Sequence, residues 1–314
     1  MKDSIWKTIN ECSSIIVIAH ESPDGDAIGS AMAMYYMLKN LNKNVDVIVP
    51  EMPLTFSFLS NINEVKISTN KEYDLAIVVD CANLERVGQI NNEITRCDKT
   101  IVIDHHISNT NYGLLNYVEG DTASCCQVIY YLFKEWNVNI TKNIGEALIT
   151  GSLTDTNGFR NNNVDKNTFL MAAELMDKDI DIHKIYYMAL SKKTMAQYML
   201  MRMTLDRLEM FEDGKIAFSY ISNEDMENVG AKKGDHEGLV DLGRNVGGVE
   251  VSIFMHEDDG YRISFRSNGL VNVNEIAKKF GGGGHMMAAG AKVSANFKET
   301  KDKLISETIK ELYK

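Results

Sequence analysis

Several histidines and aspartates of this chain have the types and spacing of ligands for divalent metal ions. The candidates are His20, Asp24, Asp26, Asp80, His105 and Asp155. Imidazoles and carboxylates without thiolates are the ligands of a manganese site, and less specifically of an iron, cobalt or magnesium site, rather than of a structural zinc site. The four carboxylates among them are too many for one such ion but suit two ions that share a bridging group. We therefore expect a two-metal centre for phosphoester hydrolysis.

The sequence Asp104-His105-His106 adds two groups beside the candidate ligand His105. Asp104 has the position of a carboxylate that orients the metal-binding imidazole of His105. We expect His106 to face the substrate phosphate, as a proton donor to the leaving oxygen or as a hydrogen-bond partner. The alternative for these motifs is a polar loop, with Asp26 as a helix N-cap and the imidazoles at the surface. Their combination with two further aspartates favours the metal centre.

Short apolar runs place these side chains at the ends of predicted strands. Residues 15–19 precede His20, residues 75–79 precede Asp80, and residues 101–103 precede Asp104. A further strand is predicted at 45–49, and helical periodicity at 26–38, 122–136 and 142–153, the last just before Asp155. This alternation predicts an α/β fold with a parallel, doubly wound sheet. In such sheets ligands bind at the carboxyl ends of the strands.

The second part of the chain has a different pattern. A long helical stretch at 165–209, broken near Asp179 and Ser191, carries many methionines that we expect to pack in the interior. Strands are then predicted at 215–221, 249–256, 261–267 and 288–293, and helices at 273–280 and 298–313. These elements predict a smaller α+β domain. The expected organisation is a catalytic domain at 1–190, a helical linker at 191–212 and a substrate-binding domain at 213–314.

A glycine run in the second domain is a candidate phosphate site. Residues 281–284 are four glycines, followed by His285. Glycine lets backbone N–H groups approach an anion closely, although such runs are more often flexible turns. Arg266 and Asn268 precede the run, and an arginine fork matches a terminal phosphate. The candidate substrate-binding set is His106, Arg266, Ser267, Asn268, Gly282, Gly283, Gly284 and His285.

Composition limits the classes of function. The 314 residues favour two domains, and 44% hydrophobic with 25% charged residues is ordinary for a globular enzyme. The formal charge of -11 argues against a basic surface that grips long nucleic acid. Five cysteines without CxxC spacing indicate neither a disulfide framework nor a thiolate zinc site. No apolar signal segment or membrane span is apparent, so we expect a cytoplasmic protein without a membrane partner.

The sequences HESPDGDAIGS, VVDCA, DHH, TDTNGF, FRSNG and GGGGH occur in this order along the chain. Together they resemble the DHH phosphoesterase family with its DHH-associated C-terminal domain, over nearly the whole chain. The C-terminal motifs are most similar to the bacterial nanoRNase branch, the NrnA-like oligoribonucleases and pAp phosphatases. The resemblance implies two manganese ions. His20, Asp24 and Asp80 would hold one, and the other would be held by Asp26, Asp80, His105 and Asp155.

The resemblance also implies the substrates, which are short RNA and nucleotides. They include linear dinucleotides such as pGpG and pApA, and 3′-phosphoadenosine 5′-phosphate. Arg266, His285 and the glycine loop would hold the nucleotide, and His106 the phosphate. No basic tract with aromatic platforms for a long strand is visible. A homodimer is expected because homodimers are the commonest oligomers.

Three alternatives remain open from the sequence. A phosphodiesterase for cyclic dinucleotides would use the same metal centre. A manganese inorganic pyrophosphatase shares the metal motifs, but its C-terminal half is expected to carry a lysine- and arginine-rich pyrophosphate-binding site in place of FRSNG and GGGGH. A nucleotide-binding sensor without turnover would tolerate loss of a metal ligand, and no ligand is missing here.

Overall fold

Five short strands in the first part of the chain pair in parallel into one sheet. The computed structural model describes all residues, 1–314. The strands are β1 (Ser14–Ile18), β2 (Asn44–Ile48), β3 (Leu75–Val79), β4 (Lys99–Asp104) and β5 (Leu115–Val118), in the order β2-β1-β3-β4-β5. The order reverses between β1 and β3, and open α/β sheets bind ligands beside such a switch point.

Helices cover this sheet on both faces. They are α1 (Lys2–Glu11), α2 (Gly25–Asn40), α3 (Asn91–Thr95), α4 (Cys125–Glu135), α5 (Lys142–Asp155), α6 (Lys166–Met176) and α7 (Ile182–Tyr186). Short 3₁₀ segments lie at Leu54–Phe56, Ile62–Glu64 and Leu84–Ile90, and a π turn at Tyr187–Ser191. Because strand side chains alternate, Ile15 and Val17 enter one core, whereas Ile16 and Ile18 enter another. The prediction of a doubly wound parallel sheet is confirmed.

Two boundaries and one strand in this region differ from the sequence prediction. Helix α2 begins at Gly25, and its N-cap is Asp24 rather than Asp26. Asp104 is the last residue of β4 instead of lying beyond the strand. Strand β5 was not predicted, because its side chains are all half-buried and show no alternation between the two faces.

The second sheet is mixed and has six strands. They are β6 (Glu209–Phe211), β7 (Ile216–Ile221), β8 (Val251–Glu257), β9 (Tyr261–Ser267), β10 (Gly283–Gly284) and β11 (Ala288–Val293), in the order β10-β11-β9-β8-β7-β6. Only β7 and β8 pair in parallel. The helices here are α8 (Met195–Asp206), α9 (Asn223–Asn228), α10 (Val240–Arg244), α11 (Val273–Lys278) and α12 (Phe297–Leu312). The predicted smaller α+β domain is confirmed.

The chain divides into two compact units, Met1–Lys192 and Lys193–Lys314, so α8 groups with the second unit. The predicted helical stretch to residue 209 is too long, since α8 ends at Asp206 and Glu209 begins strand β6. Met171 is buried as expected, whereas Met195 and Met199 on α8 are exposed. None of the helices has the length together with the apolar composition of a membrane-spanning segment.

Candidate metal centre

The turn after β1 presents the first three candidate ligands. His20 is buried, and Asp24 caps α2 by accepting hydrogen bonds at Oδ1 from the amides of Asp26 and Ala27, both at 3.0 Å. This cap stabilises the helix start and fixes the carboxylate plane. No hydrogen bond occupies Oδ2 of Asp24, so that oxygen is free for a cation. Asp24 therefore combines a structural contact with the position of a metal ligand.

Asp26 lies on the first turn of α2 and faces the N-terminus of α4. Its Oδ2 accepts from the amide of Cys125 at 2.6 Å and its Oδ1 from the amide of Cys126 at 2.9 Å. A helix N-terminus favours a negative charge, which keeps this carboxylate oriented although it is 1% exposed. The two cysteines are fully buried core thiols, and burial raises the pKa of both.

Close packing of α2 on α5 brings Asp155 into the same group. A Cβ atom on Gly29 would lie 2.5 Å from the carbonyl oxygen of Ala147, and one on Gly151 would lie 2.6 Å from Oδ1 of Asp26. Any larger residue at either position would push the helices apart. Asp155, the last residue of α5, consequently lies beside the first turn of α2.

Asp80 is at the centre of the arrangement. It follows β3 directly and has a φ of +52°, a left-handed conformation that costs energy for a residue other than glycine. Its side chain is buried, and Oδ2 lies 3.7 Å from Nε2 of His20. Its Oδ1 accepts no hydrogen bond. A buried carboxylate oxygen without a donor is costly unless a cation is bound.

His105 has one ring nitrogen held by the protein and the other facing three carboxylates. Nδ1 donates to the carbonyl oxygen of Thr122 at 3.2 Å, which leaves the lone pair on Nε2. Nε2 lies 3.6 Å from Oδ1 of Asp80, 3.7 Å from Oδ2 of Asp155 and 3.8 Å from Oδ2 of Asp26. This orientation is that of a metal-binding imidazole.

Asp104 positions His106 rather than the ring of His105, which corrects the sequence expectation. Its Oδ1 accepts from Nδ1 of His106 at 2.7 Å and from the backbone amide of His105 at 2.8 Å, and its Oδ2 accepts from Asn109 at 2.6 Å. Burial raises the pKa of Asp104, but these hydrogen bonds outweigh it and the pKa lies below its usual value. The imidazole of His105 is oriented instead by the Thr122 carbonyl, which no local sequence motif indicates.

The predicted ligands and His106 thus form three overlapping groups. Within each group, the candidate ligand atoms all lie within 4.8 Å of one another. The groups are His20, Asp24 and Asp80; Asp26, His105 and Asp155; and Asp80, His105 and His106. Burial, followed by repulsion from neighbouring carboxylates, raises the pKa of Asp80 well above its usual value and that of Asp155 to about 8. Bound cations would remove this repulsion, and the donor set fits divalent ions that accept both nitrogen and oxygen ligands.

Burial also lowers the pKa of His20 to about 4, so its ring is neutral at physiological pH, as a metal ligand must be. Arg86 contributes to this lowering, and its backbone carbonyl accepts from the amide of Glu21 at 2.8 Å. No sequence motif associates Arg86, in the segment after β3, with this centre. Its side chain is exposed and makes no ion pair.

Comparison with known proteins agrees with this architecture. Residues 14–152 match the N-terminal domain of the DHH family, and residues 213–314 match the DHHA1 domain. The chain is 32% identical over 280 residues to the bifunctional oligoribonuclease and PAP phosphatase NrnA of Thermus thermophilus, covering 88% of this chain and 83% of that protein. This chain belongs to the DHH family. It is therefore a hydrolytic enzyme of the phosphoesterase class.

Two further proteins are similar over nearly the full length of this DHH family member. The NrnA of Bacillus subtilis is 30% identical over 303 residues, with 93% of each chain covered. A crystal structure of an exopolyphosphatase-related protein from Bacteroides fragilis superimposes with a TM-score of 0.93 at 26% identity, covering 98% of this chain and 95% of that one.

In the DHHA1 domain, the structure gives the residues of the FRSNG segment separate roles. Arg266 is half-buried, and its Nη1 donates to the carbonyl oxygen of Phe265 at 3.0 Å. Ser267 is fully buried and accepts from the amide of Gly269 at 3.0 Å, so the expectation that it contacts substrate is corrected. Asn268 uses its amide group for two backbone carbonyls, those of Arg244 and Val249.

The glycine run is a tight edge hairpin rather than an open cradle. Gly281 and Gly282 donate their amides to Lys278 and Ala277, so these two N–H groups are not available to an anion, contrary to expectation. A Cβ on Gly282 would lie 2.0 Å from the carbonyl oxygen of Gly290, so close packing against β11 requires a glycine at this position. Gly283 and Gly284 form β10, and the side chain of His285 beyond them is exposed.

Proposed function

We propose that this chain is a manganese-dependent phosphoesterase with two metal ions that acts on short oligoribonucleotides. Its substrates would be linear dinucleotides such as pGpG and pApA, hydrolysed to nucleoside 5′-monophosphates, and 3′-phosphoadenosine 5′-phosphate, which would lose its 3′-phosphate. The relatives in Thermus and Bacillus that are named oligoribonucleases and PAP phosphatases support this substrate class. The observation that carries the proposal is the overlap of three candidate ligand groups at Asp80 and His105.

The proposed ligand assignment is the one that the family resemblance implies, and the grouping of His20 with Asp24 and Asp80, and of Asp26 with His105 and Asp155, supports it. His20, Asp24 and Asp80 would hold one ion, and Asp26, Asp80, His105 and Asp155 the other, so that Asp80 bridges. Two divalent ions in these positions would activate the attacking water and neutralise charge on the phosphoryl oxygens. The imidazoles favour manganese over magnesium, which prefers oxygen ligands alone.

His106 is the proposed group that contacts the scissile phosphate. Asp104 holds its Nδ1, which leaves Nε2 for a phosphate oxygen or for proton transfer to the leaving oxygen. Asn109 and the His105 amide fix Asp104 in turn, so His106 is oriented before substrate binds. This preorganisation lets the imidazole act without rearrangement.

The DHHA1 domain would supply the groups that bind the nucleotide. Arg266 and His285 are the proposed contacts, because a guanidinium and an imidazole can both donate to phosphate oxygens. A site that binds one terminal phosphate favours short substrates, since a long strand needs an extended basic groove with stacking platforms. The net charge of -11 supports the same preference.

The test is product analysis with manganese on a length series of 5′-labelled RNAs, together with 3′-phosphoadenosine 5′-phosphate. We expect turnover to peak at roughly two to five nucleotides, because binding is limited to the terminal nucleotides. A chelator should abolish turnover, and manganese should restore it more fully than magnesium. Turnover that rises steadily with RNA length would contradict the proposal.

A phosphodiesterase for cyclic dinucleotides is the second candidate. The chain is 25% identical to the cyclic-di-AMP phosphodiesterase PdeA of Listeria monocytogenes over 99% of its own length, although it spans only 48% of that protein. Cyclic and linear dinucleotides compared in the same assay decide between the two. Faster turnover of the cyclic substrate would leave the metal centre in place and change the assigned substrate.

A further inference from the structure

A second arginine lies beside Arg266 because α10 packs closely on the sheet of the DHHA1 domain. Ser252 on β8 pairs with Arg266 on β9, and its Oγ donates to the carbonyl oxygen of Val240 at 2.7 Å. A Cβ on Gly243 would lie 2.5 Å from the same Oγ. The small residue therefore permits the contact that brings the end of α10 to Arg266.

Two guanidinium groups share one carboxylate at this contact. Oδ1 of Asp241 lies 3.0 Å from Nε of Arg244 and 3.9 Å from Nε of Arg266. The side chain of Asp241 is 34% exposed, that of Arg244 26% and that of Arg266 32%, so solvent still reaches the cluster. Two positive charges against one negative charge leave a local positive excess in a chain whose net charge is -11.

The pairing within this cluster is incomplete. Oδ1 of Asp241 is buried and accepts no hydrogen bond, although Nε of Arg244 is close. The guanidinium of Arg244 makes no hydrogen bond within the protein, and that of Arg266 makes one, to the carbonyl oxygen of Phe265. Several N–H donors on adjacent arginines therefore remain available to another acceptor.

The backbone of Arg244 is fixed to the segment that carries Arg266. The side chain of Asn268 donates to the carbonyl oxygens of Arg244 at 3.1 Å and Val249 at 2.8 Å. Burial lowers the pKa of Arg266, Asp241 raises it and Arg244 lowers it again. A dianion would relieve this repulsion between the two guanidinium groups.

We propose that Arg244 is a second phosphate-binding residue, and that Arg244 and Arg266 together bind a terminal phosphate monoester of the substrate. A monoester carries about two negative charges and three oxygens near neutral pH, whereas a diester carries one charge and two such oxygens. Two guanidinium forks therefore discriminate in favour of nucleotides with a 5′- or 3′-monophosphate end. This inference rests on the proposed action on short oligonucleotides.

The alternative is an ordinary ion pair on the surface of a helix, and a matched control is available for it. Arg262 pairs with Asp258 at four residues' separation on an exposed hairpin, as Arg244 pairs with Asp241 at three. Arg262→Gln removes the same charge from an ion pair to which no function is assigned. Changes common to Arg244→Gln and Arg262→Gln therefore report charge or stability alone.

The experiment compares pApA with ApA, which lacks the terminal monoester, in the presence of manganese. We expect Arg244→Gln to raise KM for pApA by about tenfold or more, the size of a lost hydrogen bond to a charged group. KM for ApA and kcat for both substrates should stay unchanged. Arg244→Lys should recover part of the affinity for pApA, because it keeps the charge but not the fork.

Equal changes with pApA and ApA, or no change with either, would overturn the inference while leaving the oligonucleotide activity intact. If the wild-type protein hydrolyses neither dinucleotide, the proposed function fails separately. Calorimetry with AMP and adenosine in the presence of a chelator then tests the phosphate site without turnover. Binding of AMP over adenosine that is lost in Arg244→Gln supports the site, and equal binding of both ligands by wild type refutes it.

Discussion

The two domains of this DHH protein treat buried aspartates in opposite ways. In the DHH domain Asp26 and Asp80 are buried beside other carboxylates, and burial raises the pKa of both. In the DHHA1 domain Asp225 is also buried, but it accepts hydrogen bonds from both terminal nitrogens of Arg207, one of them at 2.8 Å. These hydrogen bonds lower the pKa of Asp225 to about 2.

The difference lies in what neutralises the charge. Asp225 carries its partner within the same domain, so ionisation stabilises the fold at neutral pH. Asp80 has an orphan oxygen and carboxylate neighbours, so ionisation destabilises the fold unless a cation is bound. Unpaired buried acids are therefore what distinguishes the candidate metal centre, whereas the paired acid stabilises the fold.

The largest effect that tests this comparison is expected for Asp80→Asn. Turnover should fall by roughly three orders of magnitude, because the charge stabilisation by bound metal is worth several kcal/mol. In a chelator, by contrast, the free energy of unfolding should rise by about 1–3 kcal/mol, because the neutral amide removes a buried charge that the neighbouring carboxylates repel. Steady-state kinetics and chemical denaturation measure the two quantities.

Asp98→Asn is the control for that variant. Asp98 is exposed and precedes β4 at the opposite end of the strand from Asp104. It should change neither quantity. Loss of both activity and metal-free stability in Asp80→Asn would show that the carboxylate is structural. A wild-type protein without turnover, whose ligand affinity Asp80→Asn leaves unchanged, would favour a nucleotide sensor.

An intermediate effect is expected for Asp104→Asn, which separates positioning from metal binding. The substitution removes the carboxylate that holds Nδ1 of His106 but none of the proposed metal ligands. We expect kcat to fall by about 10–100-fold, as for other partners of catalytic imidazoles. Manganese affinity, measured by calorimetry, should change much less than in Asp80→Asn. An equal loss of metal affinity in the two variants would place Asp104 among the ligands.

The smallest effect is expected for Asp225→Asn, on stability alone. The folded pKa of about 2 lies below the usual value of 3.8, so the pair stabilises the protein above about pH 4. This contribution is lost as pH falls towards 2. We expect a cost of about 1–2 kcal/mol at pH 7, allowing for solvent screening at the partly exposed Arg207.

Thermal unfolding of wild type and Asp225→Asn between pH 7 and pH 2 measures this difference. The gap between the two midpoints should narrow as the pH is lowered. A gap that stays constant would assign the loss to packing instead of charge. Turnover at neutral pH should be unchanged, in contrast to Asp80→Asn and Asp104→Asn.

Much of the candidate metal centre could be predicted because its side chains follow apolar strands directly. A strand alternates between two faces and ends at a definite residue, so His20, Asp80 and Asp104 fall at one edge once the sheet is parallel. The structure brings the six predicted ligands together at that edge. Residue type then limits the chemistry, since imidazoles and carboxylates suit divalent ions.

The sequence alone predicts the order of the main strands and helices and the chemical nature of the candidate ligands, because strand and helix periodicities are local. Which of these groups meet depends on tertiary packing. Tertiary packing places the N-terminus of α4 against Asp26, with Cys126 lying 100 residues further along the sequence. It also pairs Asp104 with His106 and brings Arg244 beside Arg266. These contacts depend on close packing at glycines such as Gly151 and Gly243, and side-chain packing between distant segments leaves no periodic signal.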